Sequence, residues 1–288
     1  MIILEQEPMK RHTTFRIGGP AAYYMVPEEE EEIRIAIEFA REKNLPYYLL
    51  GRGSNVLFHD DGYPGVVIEI GRGLAKFEMY KGLVMAQAGI SLSAMAAKLA
   101  EEGFTGFEFA AGIPGTLGGA ITMNAGAYGG EIRDCIVSAT VLTEDGDTQV
   151  LSREELELGY RSSLIQRSSY IVKSGTFNFE EGDREEIQAK MKELNQKRRE
   201  KQPLEYPSAG STFKRPEGHF AGKLIEDAGL KGYRVGDAQV SEKHCGFVVN
   251  RGSATAAQVC QLISDVQRKV QEAFGVELEP EIRFVGPF

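Results

Sequence analysis

The sequence has few of the residues that staple small proteins or bind metals. Among 288 residues there are three cysteines and four histidines. Cys135, Cys245 and Cys260 are odd in number and form no C-x-x-C pair, so we expect reduced thiols and no disulfide framework. The histidines show no H-x-x-x-H spacing, and the sequence therefore predicts no metal site.

Long apolar runs and concentrated positive charge are also missing. No stretch approaches the ~18 uninterrupted apolar residues of a membrane span, and the acidic segment 1–7 does not resemble a signal peptide. The formal net charge is −9, from 33 Lys and Arg against 42 Asp and Glu. This balance argues against a nucleic acid or an anionic membrane as partner. We expect a cytoplasmic protein that meets any anionic ligand through a few local cations.

The familiar nucleotide-binding and hydrolase motifs are absent as well. In the pattern G-x-G-x-x-G, the third glycine position after Gly51 holds Val56. After Gly71 the same position holds Lys76. The Walker pattern fails because Leu224 stands where its Ser or Thr should be, and there is no G-x-S-x-G elbow. A Rossmann site, a P-loop and serine-hydrolase chemistry are therefore not predicted.

Glycine, in contrast, is abundant, with 33 of the 288 residues. It is densest between Gly112 and Gly130, and a second glycine loop, Gly51–Asn55, follows a predicted strand. Glycine lets backbone N–H groups approach a ligand closely, so both loops can form an anion-binding concavity for a cofactor pyrophosphate. Tight turns and close packing alone would also account for them. From the residues alone, the chain is an enzyme or a binding protein that holds a phosphorylated cofactor.

The hydrophobic pattern predicts alternating helices and strands in two or three domains. Helices are predicted at 28–43, 91–102, 183–201, 221–228 and 255–274, and strands at 47–50, 66–70, 246–250 and near 282. A hairpin over 136–151 is expected to turn at Asp145-Gly146, and Ser152 with Glu155 is expected to form a capping box. Boundaries near residues 75 and 200 divide the chain into 1–74, 75–200 and 201–288.

Several motifs along nearly the whole chain match one family in order. They are Gly51-Arg52-Gly53-Ser54-Asn55, Ala111–Ala120, Asn124–Gly129, Tyr160-Arg161-Ser162-Ser163, Ala209–Lys214 and Leu278–Arg283. Together they resemble the UDP-N-acetylenolpyruvoylglucosamine reductases. The resemblance implies an α+β chain with an FAD-binding fold of the p-cresol methylhydroxylase or vanillyl-alcohol oxidase type. Two α/β FAD subdomains would occupy 1–74 and 75–200, and an α/β substrate-binding domain would occupy 201–288.

The same resemblance implies an activity and its partners. NADPH would reduce FAD, leave, and be replaced by UDP-N-acetylglucosamine enolpyruvate, whose reduction yields the peptidoglycan precursor UDP-N-acetylmuramate. This activity would link the protein to cell wall synthesis, cell shape and cell division. We expect a monomer. We also expect the FAD to be bound non-covalently, because no histidine falls within either glycine loop. A flavin oxidase of the same fold acting on another substrate is the main alternative, and a non-catalytic flavin- or nucleotide-binding module is a second.

By similarity, three residues carry the chemistry. Arg161 and Glu281 would contact the substrate carboxylate, and Ser211 would protonate the intermediate. Each has a simpler explanation: Arg161 as a helix cap or surface ion pair, Ser211 as a turn residue, and Glu281 as an exposed strand-edge charge. Lys214 and Arg215 are candidates for assisting the Ser211 hydroxyl.

The resemblance also assigns ligand contacts. The flavin contacts would be Gly51, Arg52, Gly53, Ser54, Asn55, Gly112, Ile113, Pro114, Gly115, Thr116, Gly118, Gly119, Gly126, Arg283 and the backbone of Ile171. Many relatives carry a substrate-binding tyrosine on a longer loop after the strand at 170–172, whereas here only 177–182 separates that strand from the next helix. We therefore expect the shorter subtype, in which Arg215 helps to hold the substrate pyrophosphate.

Overall fold

The computed structural model describes residues 1–288, which form seven α-helices, nineteen strands and a few short 3-10 turns. The helices are α1 (Glu30–Glu42), α2 (Leu92–Glu102), α3 (Leu117–Met123), α4 (Leu164–Arg167), α5 (Arg184–Lys201), α6 (Ala221–Asp227) and α7 (Ala256–Phe274). The first ten strands are β1 (Ile2–Pro8), β2 (Pro20–Val26), β3 (Tyr47–Leu50), β4 (Val56–Phe58), β5 (Tyr63–Glu69), β6 (Phe77–Tyr80), β7 (Leu83–Gln87), β8 (Phe104–Thr105), β9 (Gly126–Ala127) and β10 (Gly130–Glu131). The others are β11 (Ile136–Leu142), β12 (Thr148–Ser152), β13 (Ile171–Asn178), β14 (Glu180–Glu181), β15 (Ser208–Ser211), β16 (Arg234–Val235), β17 (Ala238–Val240), β18 (Phe247–Asn250) and β19 (Arg283–Val285).

The chain folds into two compact units, each made of several segments. The first comprises Met1–Ile3, Met25–Arg52 and Ile68–Arg198, and the second comprises Leu4–Tyr24, Gly53–Val67 and Arg199–Phe288. A four-stranded sheet has the order β1-β2-β5-β3. The division into 1–74, 75–200 and 201–288 stays a prediction.

A five-stranded antiparallel sheet organises the first unit, with the order β12-β11-β13-β7-β6. Helix α3 packs against β13 and β7, and β7 turns Val84 and Ala86 into the core with no exposed side-chain surface. Helix α2 begins at Ser91, whose side chain accepts the Ala94 N–H, and ends at Gly103 in a left-handed conformation (φ 80°). Both ends agree with the sequence prediction.

Helix α1 lies beside the hairpin of β11 and β12 within the first unit. Its apolar side chains Ile33, Ala36, Ile37 and Ala40 are buried, as the helical spacing predicts. From its polar face Arg34 donates to the carbonyl oxygen of Gly146, and Arg41 donates to that of Glu144 at 2.9 Å. These bonds satisfy carbonyls in the hairpin turn, where Gly146 has a positive φ of 88°.

The core of the second unit lies under the sheet β15-β18-β17-β16. Helix α7 supplies one apolar face to this core, with Val259, Leu262, Ile263, Val266 and Val270 buried. Its first turn has a capping box of Thr255 and Gln258, and the Asp60 carboxylate accepts the N–H groups of Ala256 and Ala257 at 2.7 and 3.0 Å. None of the seven helices combines the length and the apolar character that crossing a bilayer requires.

One local prediction needs a correction. Ser152 and Glu155 form the reciprocal hydrogen bonds of a capping box, at 2.8 and 3.3 Å. No helix follows, because residues 153–157 form successive turns and Glu157 adopts a left-handed φ of 46°. The motif here stabilises a turn between β12 and the segment that contains Arg161.

Candidate active site

Gly51, the first residue of the first glycine loop, meets the second glycine loop within the first unit. Gly51 follows β3, and Thr116 immediately precedes α3. A Cβ atom added to Gly51 would lie 2.5 Å from Oγ1 of Thr116, so only glycine lets the loops approach this closely. Thr116 itself is 6% exposed. The structure therefore brings together the two loops in which the sequence placed the cofactor.

Several amides of the second glycine loop are already bonded within the protein. The Gly118 N–H donates to the carbonyl of Ala88 at 2.8 Å, and the Gly115 N–H donates to that of Ile113 at 3.0 Å. A Cβ at Gly118 would lie 2.9 Å from that of Ala88, which gives this glycine a packing role. Gly119 is exposed, and a Cβ there would meet only Thr116 Oγ1 at 3.8 Å. The Ile113 N–H likewise donates to the Ala110 carbonyl at 3.0 Å, so the amides of Ile113, Gly115 and Gly118 are all used within the protein.

The remainder of the first glycine loop, Gly53–Asn55, lies in the second unit. Gly53 has a left-handed φ of 62°, and a Cβ there would overlap the carbonyl oxygen of His12. Its own carbonyl accepts the Thr14 N–H at 3.0 Å. The loop is therefore held against the turn at residues 12–14, and this contact explains why glycine occupies position 53.

Ser211 and Glu281 lie on neighbouring segments of the second unit. Ser211 ends β15, where it is opposite Phe247 of β18, and its side chain is exposed. The next residue, Thr212, accepts the Glu281 N–H at 2.8 Å through its carbonyl oxygen. Phe213 and Pro280 form an antiparallel bridge. Ser211 is therefore the last residue of a strand and not an isolated turn residue.

The same segment connects Glu281 to the first glycine loop and to Arg283. Asn55 Nδ2 donates to the Glu281 carbonyl at 3.1 Å, and the Arg283 N–H donates to the Asn55 carbonyl at 3.0 Å. Arg283 begins β19, which pairs in parallel with β4. Four of the residues predicted for the site, Ser211, Glu281, Asn55 and Arg283, are thus brought together in one unit.

Two cations follow Ser211 along the chain. Lys214 Nζ forms an ion pair with the Glu279 carboxylate. The Arg215 guanidinium lies over the Phe220 ring at 4.0 Å from its centroid, and Arg215 Nε donates to the His219 carbonyl at 3.4 Å. The charge of Lys214 is therefore committed to an acidic neighbour.

Arg161 lies in a turn of the first unit and not at the end of a helix. Its backbone has a left-handed φ of 51°. Its guanidinium donates to the carbonyl oxygens of Gly126 and Asn124, at 3.1 and 3.4 Å, and its own carbonyl accepts Gln166 Nε2 at 3.1 Å. Arg161 therefore does not cap a helical segment of its own, although its guanidinium bonds the carbonyl of Asn124, the C-cap residue of α3.

Asn124 organises the surroundings of Arg161, a role that sequence reasoning missed. It is fully buried and follows α3 with a φ of 45°. Its Nδ2 donates to the Gly159 carbonyl at 3.0 Å and to the Glu131 carboxylate at 2.8 Å, while its Oδ1 accepts the Arg133 N–H at 2.9 Å. An Asn just after a short helical pattern is a signal for a left-handed helix end, but its long-range partners leave no mark in the sequence.

Ile171 begins β13 opposite Leu142 and is 4% exposed. It lines a cavity of about 210 Å³ together with Tyr47 of β3. Two residues further along β13, the Lys173 carbonyl accepts the Ala88 N–H at 2.8 Å. Since the Ala88 carbonyl accepts the Gly118 N–H, Ile171 is connected to the second glycine loop through the backbone.

Comparisons with known proteins agree with this arrangement. Residues 21–152 match the family described as FAD binding domain, and residues 202–285 match the C-terminal domain of UDP-N-acetylenolpyruvoylglucosamine reductase. The chain is 58% identical over 284 residues to the UDP-N-acetylenolpyruvoylglucosamine reductase of Lachnoclostridium phytofermentans, covering 97% of this chain and 92% of the relative. It is 54% identical over 298 residues to that of Agathobacter rectalis, covering 99% and 95%.

A solved structure gives the same result in three dimensions. The crystal structure of UDP-N-acetylenolpyruvylglucosamine reductase from Thermus caldophilus superposes with a TM-score of 0.85 at 38% identity, covering 99% of this chain and all of that one. The fold is the FAD-binding fold of the p-cresol methylhydroxylase and vanillyl-alcohol oxidase type with a C-terminal domain added. Because the likeness covers both parts of the chain, this protein belongs to the UDP-N-acetylenolpyruvoylglucosamine reductase family.

Proposed function

We propose that this protein uses FAD and NADPH to reduce the enolpyruvyl group of UDP-N-acetylglucosamine enolpyruvate to UDP-N-acetylmuramate. The observation that carries the proposal is the family likeness, which extends over 97% of the chain at 58% identity. A flavin oxidase with another substrate is not favoured, since the C-terminal match at 202–285 is specific to the reductase. The reaction supplies a precursor for peptidoglycan and so serves cell wall growth and division.

The residues around the glycine loops are suited to hold FAD. At both Gly51 and Gly119, the nearest side chain that an added Cβ would meet is that of Thr116, so backbone and one hydroxyl group line the space between them. We assign the cofactor to the Gly51–Asn55 loop, the second loop at 112–119, Gly126 and Ile171, with Arg283 as a positive charge. When bound, the flavin accepts hydride from NADPH and delivers it to the enolpyruvyl double bond.

We assign Arg161 the task of stabilising the negative charge that develops on the substrate carboxylate. A guanidinium forms strong, charge-assisted hydrogen bonds to a carboxylate. Its bonds to the carbonyls of Asn124 and Gly126 support this role, because they fix the plane of the group before substrate binds. The left-handed backbone at Arg161 is the kind of local strain that clusters at functional sites.

We assign Ser211 the role of general acid and Glu281 that of its companion at the carboxylate. The exposed Ser211 hydroxyl would donate a proton to the carbon beside the substrate carboxylate, and a protonated Glu281 would donate a hydrogen bond to that carboxylate. We do not assign Lys214 a role in activating Ser211, because its ammonium group is paired with the Glu279 carboxylate. Arg215 remains our proposal for a contact with the substrate pyrophosphate.

We also propose a cytoplasmic monomer with non-covalent FAD. Cys135, Cys245 and Cys260 are all free thiols, which suits a reducing compartment. His12 lies near the Gly53 loop, but its Nε2 is 2.9 Å from the Glu7 carboxylate and its ring stacks on Tyr24. Acid precipitation should release all yellow colour into the supernatant, and light scattering should give the mass of one chain. Colour retained by the precipitate would exclude non-covalent attachment.

The activity is tested by mixing the purified flavoprotein with NADPH and UDP-N-acetylglucosamine enolpyruvate. We expect NADPH absorbance to fall only when the enolpyruvyl compound is present, and UDP-N-acetylmuramate to accumulate in equal amount. UDP-N-acetylglucosamine without the enolpyruvyl group is the matched control. NADPH consumption that depends on oxygen alone would favour an oxidase and contradict the proposal.

A further inference from the structure

Arg198 of α5 is a cation without a partner in the protein. On the same helix, Lys190 and Lys197 both pair with Glu193. The Arg198 side chain is half-buried, yet it forms no hydrogen bond and no carboxylate forms an ion pair with it. This isolation is unusual in a chain with 42 acidic residues, where a cation finds an acidic neighbour easily.

The position of Arg198 places its guanidinium against the second glycine loop. A Cβ added to Gly112 would lie 3.1 Å from Cδ and 3.6 Å from Nη1 of Arg198, and 2.6 Å from Oδ1 of Asn195. Glycine at position 112 therefore lets α5 lie directly on the loop backbone. Arg198 and Gly112 belong to the same unit, as does Thr116 at the other end of the loop.

An anion from outside the chain would offset the cost of partly desolvating the unpaired Arg198 guanidinium. Burial lowers the pKa of the guanidinium, and the nearby Tyr128 hydroxyl acts in the opposite direction. Partly desolvated charges in proteins are normally paired, because a charge that loses contact with water without gaining a partner is costly. The planar guanidinium is the side chain best matched to two oxygens of a phosphate. A half-buried arginine beside a glycine loop fits such a ligand.

We infer that Arg198 is a phosphate-binding residue whose guanidinium holds a diphosphate group at the Gly112 loop. The inference rests on the proposed function, because FAD, NADPH and the UDP-sugar each carry a diphosphate. The loop that Arg198 touches is the one to which the flavin is assigned, which makes FAD the first source to test. The two nucleotide substrates share the same chemistry and form the second arm of the experiment.

The test compares Arg198→Gln and Arg198→Lys with Lys192→Gln, an exposed lysine on the same helix whose replacement makes the same charge change. Release of FAD from each holoenzyme on serial dilution is followed by flavin fluorescence, and KM is measured for NADPH and for the UDP-sugar. We expect Arg198→Gln to weaken one of these ligands by about ten- to a hundredfold, the range of a lost charged hydrogen bond. Arg198→Lys should recover only part of the affinity, because it keeps the charge and loses the two-pronged geometry.

The outcomes separate the sources and the proposals. Faster loss of FAD identifies the flavin diphosphate, whereas normal FAD retention with a raised KM identifies a nucleotide substrate. Changes no larger than those of Lys192→Gln in all three measurements would overturn the inference. If Arg198→Gln does not fold, Arg198→Lys decides alone. FAD release needs no turnover, so a wild-type protein that fails to reduce the UDP-sugar would contradict the proposed function without affecting this result.

Discussion

The carbonyl oxygen of Thr212 accepts the backbone N–H of Glu281 at 2.8 Å. This bond joins the end of β15, where Ser211 lies, to the segment that precedes β19. The proposed acid and its companion carboxyl group are therefore held by main-chain contacts and not by long flexible side chains. A site built in this way should lose chemistry, and little stability, when the Ser211 hydroxyl alone is removed.

Ser211→Ala should separate the two halves of the reaction. Reduction of the bound flavin by NADPH should proceed at nearly the wild-type rate, because it needs no proton from Ser211. Reduction of the enolpyruvyl group should slow by about 10²- to 10⁴-fold, the usual contribution of a general acid. Stopped-flow absorbance of the flavin measures both steps, with Ser208→Ala on the same strand as control. A normal second step would remove Ser211 from the mechanism.

Asn124 should be needed for both stability and substrate binding. Asn124→Ala removes the side-chain hydrogen bonds to the Gly159 carbonyl, the Glu131 carboxylate and the Arg133 N–H, at roughly 0.5–1.5 kcal/mol for each bond. Alanine keeps the Cβ at a φ of 45° but lacks the polar side chain that helps asparagine to adopt this conformation. Asn124→Gly loses the same side-chain bonds, but glycine adopts the positive φ without steric cost. Its free energy of unfolding should therefore be about 1 kcal/mol higher than that of Asn124→Ala.

The same two variants test the link to Arg161. Both should raise KM for the UDP-sugar, since they remove the side-chain bonds that hold residue 124, whose backbone carbonyl accepts from Arg161. Urea unfolding curves and steady-state kinetics are the measurements. An alanine variant that is more stable than the glycine variant would contradict the left-handed backbone at this position.

Gly51 and Thr116 should show strong coupling in a double-mutant cycle. Gly51→Ala places a Cβ 2.5 Å from Thr116 Oγ1 and should destabilise the protein by about 1–3 kcal/mol. In the double variant with Thr116→Ala, the Cβ of residue 116 lies 3.6 Å from the new Cβ at residue 51, which is an ordinary van der Waals contact. The double variant should therefore regain much of the lost stability and FAD retention, and strictly additive effects would argue against this contact.

Glu30 should make stability depend on acid pH. Burial acts to raise the pKa of this carboxyl, but hydrogen bonds from Lys173 and Gln87 outweigh it, and the net pKa is lowered from 4.5. Its carboxylate lies 2.8 Å from Lys173 Nζ and 2.9 Å from Gln87 Nε2. Because the folded-state pKa is below the unfolded value, this stabilisation is present above the unfolded pKa and is lost as pH falls through the folded one.

Urea unfolding at a series of pH values measures the effect. Wild type should lose unfolding free energy more steeply than Glu30→Gln on acidification below pH 4.5. Glu31→Gln, at the exposed neighbouring position, should follow wild type. Equal slopes for wild type and Glu30→Gln would show that the ion pair with Lys173 does not form in solution.

Elements with local signals could be predicted from the sequence. Helix α2 has its cap and its stop within its own residues, and the hairpin at Gly146 is set by a glycine turn. Strand β1 could not be predicted, because its residues are mostly exposed and its pairing in the sheet beside β2 defines it. The Ser152 box shows the opposite case, in which the local hydrogen bonds form but no helix follows.

The candidate site divides in the same way. The glycine loops were visible in composition, since glycine is concentrated where backbone must come close to other groups. The roles of Asn124 and Arg198 could not be predicted from the sequence. The hydrogen bonds of Asn124 and the surroundings of Arg198 depend on residues that are distant in sequence. Gly118 was assigned to the flavin by resemblance; in the structure its amide donates to the Ala88 carbonyl, and its missing Cβ leaves room for the Ala88 side chain.

The parallel pairing of β4 with β19 has a consequence for synthesis. The Asn55 side chain donates to the Glu281 carbonyl, 226 residues later in the sequence. The Asn55 carbonyl accepts the Arg283 N–H. During translation, Asn55 is made 226 residues before Glu281. Contacts of such long sequence separation form late in folding. The Asn55 end of the proposed flavin site can therefore form only after the segment that contains Glu281 and Arg283 has been made.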